Sequence, residues 1–127
     1  MGNGTSIGRV RGLVSSHQGT HHWLVQRLTA VGNLVLIPFL MFSLALLPSH
    51  DYATVHAWVA KPIPSTALIL IMINTITHAR LGVQVMLEDY IHEEGGKITA
   101  WLLVNIVPFA AAAFGIISVI RIALGGA

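Results

Sequence analysis

Three apolar runs, each about as long as a bilayer is thick, constrain this chain to a membrane. The first extends from about Leu24 to Leu47, the second from about Thr66 to Leu87, and the third from about Ile98 to Leu124. A helix needs roughly 20 apolar residues to cross hydrocarbon, and in lipid only helices and closed barrels satisfy every backbone group. Of the 127 residues, 54% are hydrophobic and 9% are charged, against about 25% charged in soluble domains. The expectation is an all-α membrane protein. Residues 1–127 form a single domain of three transmembrane helices, spanning about 24–47, 66–87 and 98–124, behind a flexible N-terminal segment 1–20.

Several function classes drop out. A net charge of +2 with neutral histidines is too small to argue for nucleic acid. Cysteine is absent, so this chain makes no disulfide, ligates no iron–sulfur cluster and performs no thiol catalysis. Met1 to Ser6 fits a myristoylation pattern and Asn3-Gly4-Thr5 a glycosylation sequon. Both are short matches with little weight. No acidic residue precedes Asp51, and Arg9, Arg11, Ser15 and Ser16 faintly resemble a transit segment.

Pro48, Pro62 and Pro64 punctuate the first connection, and Gly95-Gly96 the second. Pro38 and Pro108 lie inside spans, where neighbouring helices can satisfy the freed carbonyls, so bends without breaks are expected. With the N-terminus inside, the inner side receives Arg9, Arg11, Arg27 and Lys97, and the outer side Lys61 and Arg121. Glu88, Asp89, Glu93 and Glu94 crowd the second inner loop, but acidic residues carry little weight in this rule. Trp23, Tyr90 and Trp101 then fall near the inner interface, with Tyr52 and Trp58 near the outer one. In the third span, Ala111 and Gly115 form a small-xxx-small pair suited to close helix packing, and Asn105 is expected to hydrogen-bond a neighbouring helix.

His78 stands near the middle of the second span, with Asp89-Tyr90 where that helix leaves the lipid. An ionisable residue at depth is costly, and a functional role is the default. At about 100° per residue, Asn74, His78, Gly82, Val85 and Asp89 share one face. Gly82 removes a side chain one turn from His78, leaving a gap that a flat macrocycle needs. His78 lies roughly 13–14 Å below Leu87, enough depth for a porphyrin. A neutral imidazole is a good ligand for haem iron, and a phenol beside a carboxylate can hydrogen-bond and protonate a carbonyl compound. Arg27, one turn into the first span, is a permanent cation at the level where haem propionates would hang. Each residue also has a plainer role: a polar bridge between helices for His78, interface residues for Arg27, Asp89 and Tyr90. Arg80 points away from His78, at about 200° around the helix, and is read as structural. His17, His21 and His22 precede the first span, and His50 and His56 lie in the first connection, so no other histidine shares the depth of His78.

His21-His22-Trp23-Leu24-Val25-Gln26-Arg27-Leu28-Thr29-Ala30 resembles the start of the first helix in the hydrophobic membrane anchor of succinate dehydrogenase. His78-x-x-x-Gly82-x-Gln84-Val85-x-x-Glu88-Asp89-Tyr90-Ile91-His92 resembles that family's second-helix signature. The resemblance covers about residues 17–124 and has the style of an alphaproteobacterial member. It implies three helices packed with those of a companion membrane anchor, and a haem b shared between the two anchors with one axial histidine from each. His78 matches the haem-iron ligand, Arg27 the arginine near the propionates, Tyr90 the quinone-site tyrosine and Asp89 its acidic neighbour. The flavoprotein and iron–sulfur subunits, carrying the flavin and the clusters, would dock on the inner face. Arg80 departs from some relatives and takes no role from the resemblance.

The resulting expectation is an anchor subunit of complex II, without catalysis of its own, that helps pass electrons from succinate to ubiquinone. Its setting would be a bacterial inner membrane, ahead of a mitochondrial one, with the N-terminus cytoplasmic. Two alternatives stay open: a fumarate reductase anchor, and a haem-free small transporter or structural subunit.

Overall fold

A computed structural model describes residues 17–125. The terminal myristoylation, sequon and transit-like patterns, and most of the expected flexible segment, lie outside the described residues. Four helices follow one another: α1 (His17–Ala45), α2 (Tyr52–Val59), α3 (Pro62–Tyr90) and α4 (Glu94–Ala123). Three of them hold stretches long and apolar enough to cross a membrane: Gly19–Ala45, Pro62–Leu87 and Gly95–Ala123. The all-α, three-span expectation holds.

The helix ends differ from expectation for local reasons. α1 begins by His17, so residues 17–20 are helical, and His21 and His22 belong to α1. Pro62 and Pro64 do not sit in a loop. Pro62 opens α3 at its first position behind an extended Lys61, where the missing N–H costs nothing and the fixed φ already suits a helix. Ser65 steadies this turn by donating its hydroxyl to the Lys61 and Pro62 carbonyls at 2.9 and 3.1 Å. Gly95 and Gly96 likewise lie in the first turn of α4. Pro38 and Pro108 sit inside continuous helices, and each deprives the carbonyl four residues earlier of its usual donor.

α2 falls where the sequence suggests only an outer loop. Asp51 caps it, its carboxylate accepting from the Thr54 N–H at 2.8 Å. The Ser49 hydroxyl donates to the other carboxylate oxygen at 2.7 Å. These bonds hold the Asp51 carboxyl below the ordinary aspartate range, the Ser49 bond contributing most. Trp58, expected at an interface, is 7% exposed and donates its indole N–H to Ser43 Oγ at 2.9 Å. Pro64 and Ala67, near the start of α3, and Val119, near the end of α4, are buried as well. The small apolar core therefore lies at the α2 end.

α3 is the central helix and packs against both α1 and α4. At Gly115 a Cβ would come within 2.8 Å of Met72 Sδ, so the small residue does permit close approach of α4 to α3. Asn105 does not bridge helices as expected. Its amide donates to the Trp101 carbonyl of its own helix at 2.6 Å, because a short polar side chain inside a helix can reach the carbonyl one turn back. Large apolar side chains such as Phe39, Phe42, Phe109 and Phe114 stay exposed, to be covered by lipid or by protein.

Candidate functional site

The seam between α1 and α3 is polar over the stretch from His22 to Asn33. On α1, His22, Gln26, Thr29 and Asn33 fall at intervals of four, three and four residues, which places them on one face. Asn74 of α3 meets this stripe, its amide donating to the Thr29 carbonyl and to Asn33 Oδ1, both at 2.7 Å. Thr75 donates to the same Asn33 oxygen at 3.0 Å. Gly32 makes the approach possible, since a Cβ there would stand 2.8 Å from the Asn74 amide nitrogen.

One turn further along α3, His78 joins the seam. Its Nδ1 lies 3.0 Å from Thr29 Oγ1. The polar-bridge role of His78 is therefore real, and it engages only one ring nitrogen. No described residue hydrogen-bonds Nε2.

Beside His78 a groove of about 490 Å³ opens between the two helices. His22, Gln26 and Arg27 line it from α1, and His78, Gly82 and Val85 from α3. The structure thus brings together three residues singled out from sequence: His78, Gly82 and Arg27. The Arg27 guanidinium lies 5.4 Å from the centroid of the Trp23 ring, a cation–π contact that helps position it. Gly82 differs from Gly32 and Gly115. A Cβ at Gly82 would meet only Gln26 Nε2, at an ordinary 3.5 Å. Packing within this chain does not demand glycine there, and its missing side chain leaves open space in the groove beside the imidazole.

Sequence reasoning missed Thr29, Gln26 and His22. The 22/26/29/33 stripe was the available signal, but it identifies a face without identifying the helix opposite. His22 lines the groove despite being expected ahead of the span. It stands about 10 Å along α1 from Thr29, at the level of Val85, so it does not share the depth of His78. Gln26 Oε1 is buried with no hydrogen-bond partner among the described residues.

Asp89 and Tyr90 lie outside the groove, in the last turn of α3. Both are exposed, Tyr90 by 80%, and neither bonds the other or any other described residue. Arg80 faces the opposite side, lining a cavity with Asn105 and Pro108 of α4, which agrees with the helical arithmetic. A further cavity of about 510 Å³, lined by Gln84, Lys97 and Trp101, contains none of the expected site residues. No group of three or more metal-ligating side chains occurs among the described residues, so His78 would supply one protein ligand and the rest would come from elsewhere.

The donor set fits a haem edge: one midspan imidazole with a free nitrogen, a glycine gap, apolar walls and a cation at one end. Residues 1–112 match the succinate dehydrogenase/fumarate reductase transmembrane subunit family. The chain belongs to that family. It is 38% identical over 78 residues to the succinate dehydrogenase hydrophobic membrane anchor subunit of Rickettsia bellii, spanning 61% of this chain and 62% of the relative. The corresponding protein of Rickettsia prowazekii is 33% identical over 78% of this chain and 84% of its own length. That of Paracoccus denitrificans is 28% identical over 90% and 88%. No solved structure matches at a comparable level. As a family member with three spanning helices, the chain is a multi-pass transmembrane subunit of succinate dehydrogenase type.

Proposed function

We propose that this chain anchors succinate dehydrogenase in a bacterial inner membrane, supplies one axial ligand to haem b and forms part of the ubiquinone site. The observation that carries the reading is His78, held at Nδ1 and free at Nε2, beside a groove lined by Gly82 and Arg27. A haem there supplies a one-electron carrier. Nε2 of His78 would hold the iron, and the Arg27 guanidinium would meet the propionates. A second protein ligand would have to come from a companion membrane anchor, since no other histidine lies at that depth among the described residues. His78→Ala in the assembled complex is expected to abolish the six-coordinate low-spin haem spectrum while leaving assembled complex. An unchanged spectrum would falsify the ligand assignment.

Tyr90 and Asp89 belong to a site completed by partner subunits, since both stand exposed at a helix end. The Tyr90 hydroxyl donates to a quinone carbonyl, which gains electron density on reduction, and Asp89 tunes that end of the site. Positioned acid groups of this kind contribute about 10²–10⁴-fold in rate. Tyr90→Phe is expected to lower ubiquinone reduction sharply and to spare haem content. Succinate oxidation with an acceptor that takes electrons upstream should also survive. A parental rate with ubiquinone would reduce Tyr90 to an interfacial ring.

The N-terminus and the 91–93 connection face the cytoplasm in this reading, where the flavoprotein and iron–sulfur subunits dock and deliver electrons. Reporter fusions at residues 57, 95 and 127 check it, and periplasmic activity at 95 would reverse the orientation. Membership of a succinate dehydrogenase/fumarate reductase family counts against a small transporter.

A further inference from the structure

We infer that Thr29 is a positioning residue for the haem ligand: its hydroxyl accepts the Nδ1 proton of His78, fixing the tautomer and presenting Nε2 to the iron. This rests on the ligand role of His78 proposed above and concerns a residue on the facing helix. Thr29 Oγ1 has three close neighbours: the Val25 carbonyl at 2.8 Å, the Gln26 carbonyl at 3.1 Å and His78 Nδ1 at 3.0 Å. A threonine hydroxyl carries one proton, and carbonyl oxygens only accept. Were that proton given to Nδ1, the Val25 carbonyl would face a bare lone pair at 2.8 Å. The arrangement that satisfies all the groups sends the hydroxyl proton back to the carbonyls of α1. Nδ1 then carries its own proton and donates it to Oγ1. The lone pair of the neutral ring therefore resides on Nε2.

The hydroxyl is also held in place. Thr29 is 8% exposed, one of two buried polar residues among those described. Its carbonyl accepts from Asn74 Nδ2 at 2.7 Å, and Asn74 lies one turn from His78 on the same helix. The Thr29 backbone and side chain are thus both tied to α3, at positions 74 and 78. The acceptor on the remote nitrogen is a neutral hydroxyl in place of the carboxylate or backbone carbonyl often found behind a metal-bound histidine. It orients the ring while adding less basicity than a carboxylate would.

The test uses the whole complex purified from membranes, with Thr29→Val, Thr29→Ser and His78→Ala compared with the parental protein. Valine keeps the shape and removes the hydroxyl, whereas serine keeps the hydroxyl. Readouts are haem content, the low-spin EPR signature and the haem midpoint potential. Thr29→Val is expected to weaken haem retention about 10–100-fold, as loss of such an outer partner does. It should also shift the EPR signature and move the potential to more positive values. Thr29→Ser should restore all three. A Val variant with parental haem content, signature and potential, while His78→Ala loses the spectrum, would overturn the role of Thr29 and leave the ligand assignment standing. Parental spectra in both variants would overturn the two together. Should the Val complex not assemble, the Ser variant decides: loss of haem with serine would assign the effect to the methyl group and sink the proposal, and a parental signature would support the hydroxyl.

Discussion

The two seams of α3 are built differently. Toward α1 the contacts are directional: Asn74 to Thr29 and Asn33, Thr75 to Asn33, and His78 to Thr29. Toward α4 the approach depends on the fit of Gly115 against Met72. The hydroxyls and amide of Thr99, Asn105 and Ser118 on α4 turn back to carbonyls of their own helix. In lipid there is no hydrophobic drive to bring helices together, and packing and interhelical hydrogen bonds do that work. A hydrogen-bonded seam has one register, because sliding by a residue breaks every bond at once. A seam closed by a small residue against a flexible thioether tolerates adjustment. The histidine proposed to meet the haem iron stands on the seam with the fixed register.

This contrast can be broken most directly at Gly32. A β-carbon there would lie 2.8–3.0 Å from the Asn74 amide group, which two hydrogen bonds of 2.7 Å already hold. Gly32→Ala should destabilise the complex by about 1–3 kcal/mol, the usual cost of overpacking, and lower haem content with it. Thermal dissociation in detergent, followed by the haem spectrum, measures both. The matched change on the other seam is Gly115→Ala. Its clash is with Met72 Sδ at 2.8 Å, near the end of a side chain that can swing away. The expected loss is no more than about 1 kcal/mol, with haem content unchanged. Equal losses from the two variants would remove the distinction between the seams.

The smallest effect is expected at α2, away from both seams. Hydrogen bonds from Ser49 and the Thr54 backbone lower the Asp51 pKa on folding. The cap is therefore fully present above the ordinary aspartate value of about 3.9. It is lost as pH falls through the lower folded-state value. Asp51→Ala should increase amide exchange across 52–60 at neutral pH, and the gap from the parental protein should close below about pH 4. A gap that persists in acid would mean that the carboxylate is not what caps the helix.

Much of this architecture was legible in the sequence because the bilayer imposes a simple length rule. Three runs of the required length became three helices. Their ends were misplaced because Pro62, Pro64, Gly95 and Gly96 punctuate most chains but are tolerated in the first turn of a helix. α2 escaped notice although Asp51 stands three residues ahead of Thr54, as a capping residue should. At the site, His78, Gly82 and Arg27 could be grouped from periodicity and family resemblance. Thr29 could not, because helical periodicity places a residue on a face and is silent about which helix lies opposite. Asn105 misled for the converse reason: a polar residue in an apolar run needs a partner, but its own backbone can provide one.

The position of the polar seam early in the chain has a consequence for biosynthesis. Every residue that makes it, from His22 to Gly82, precedes α4. Once the first hairpin has left the ribosome and entered the bilayer, Asn33, Asn74, Thr29 and His78 can already find one another. The fourth helix is then added to a hairpin whose register is set. The polar groups of this seam are shielded first, and the groove beside His78 is shaped before synthesis of the chain is complete.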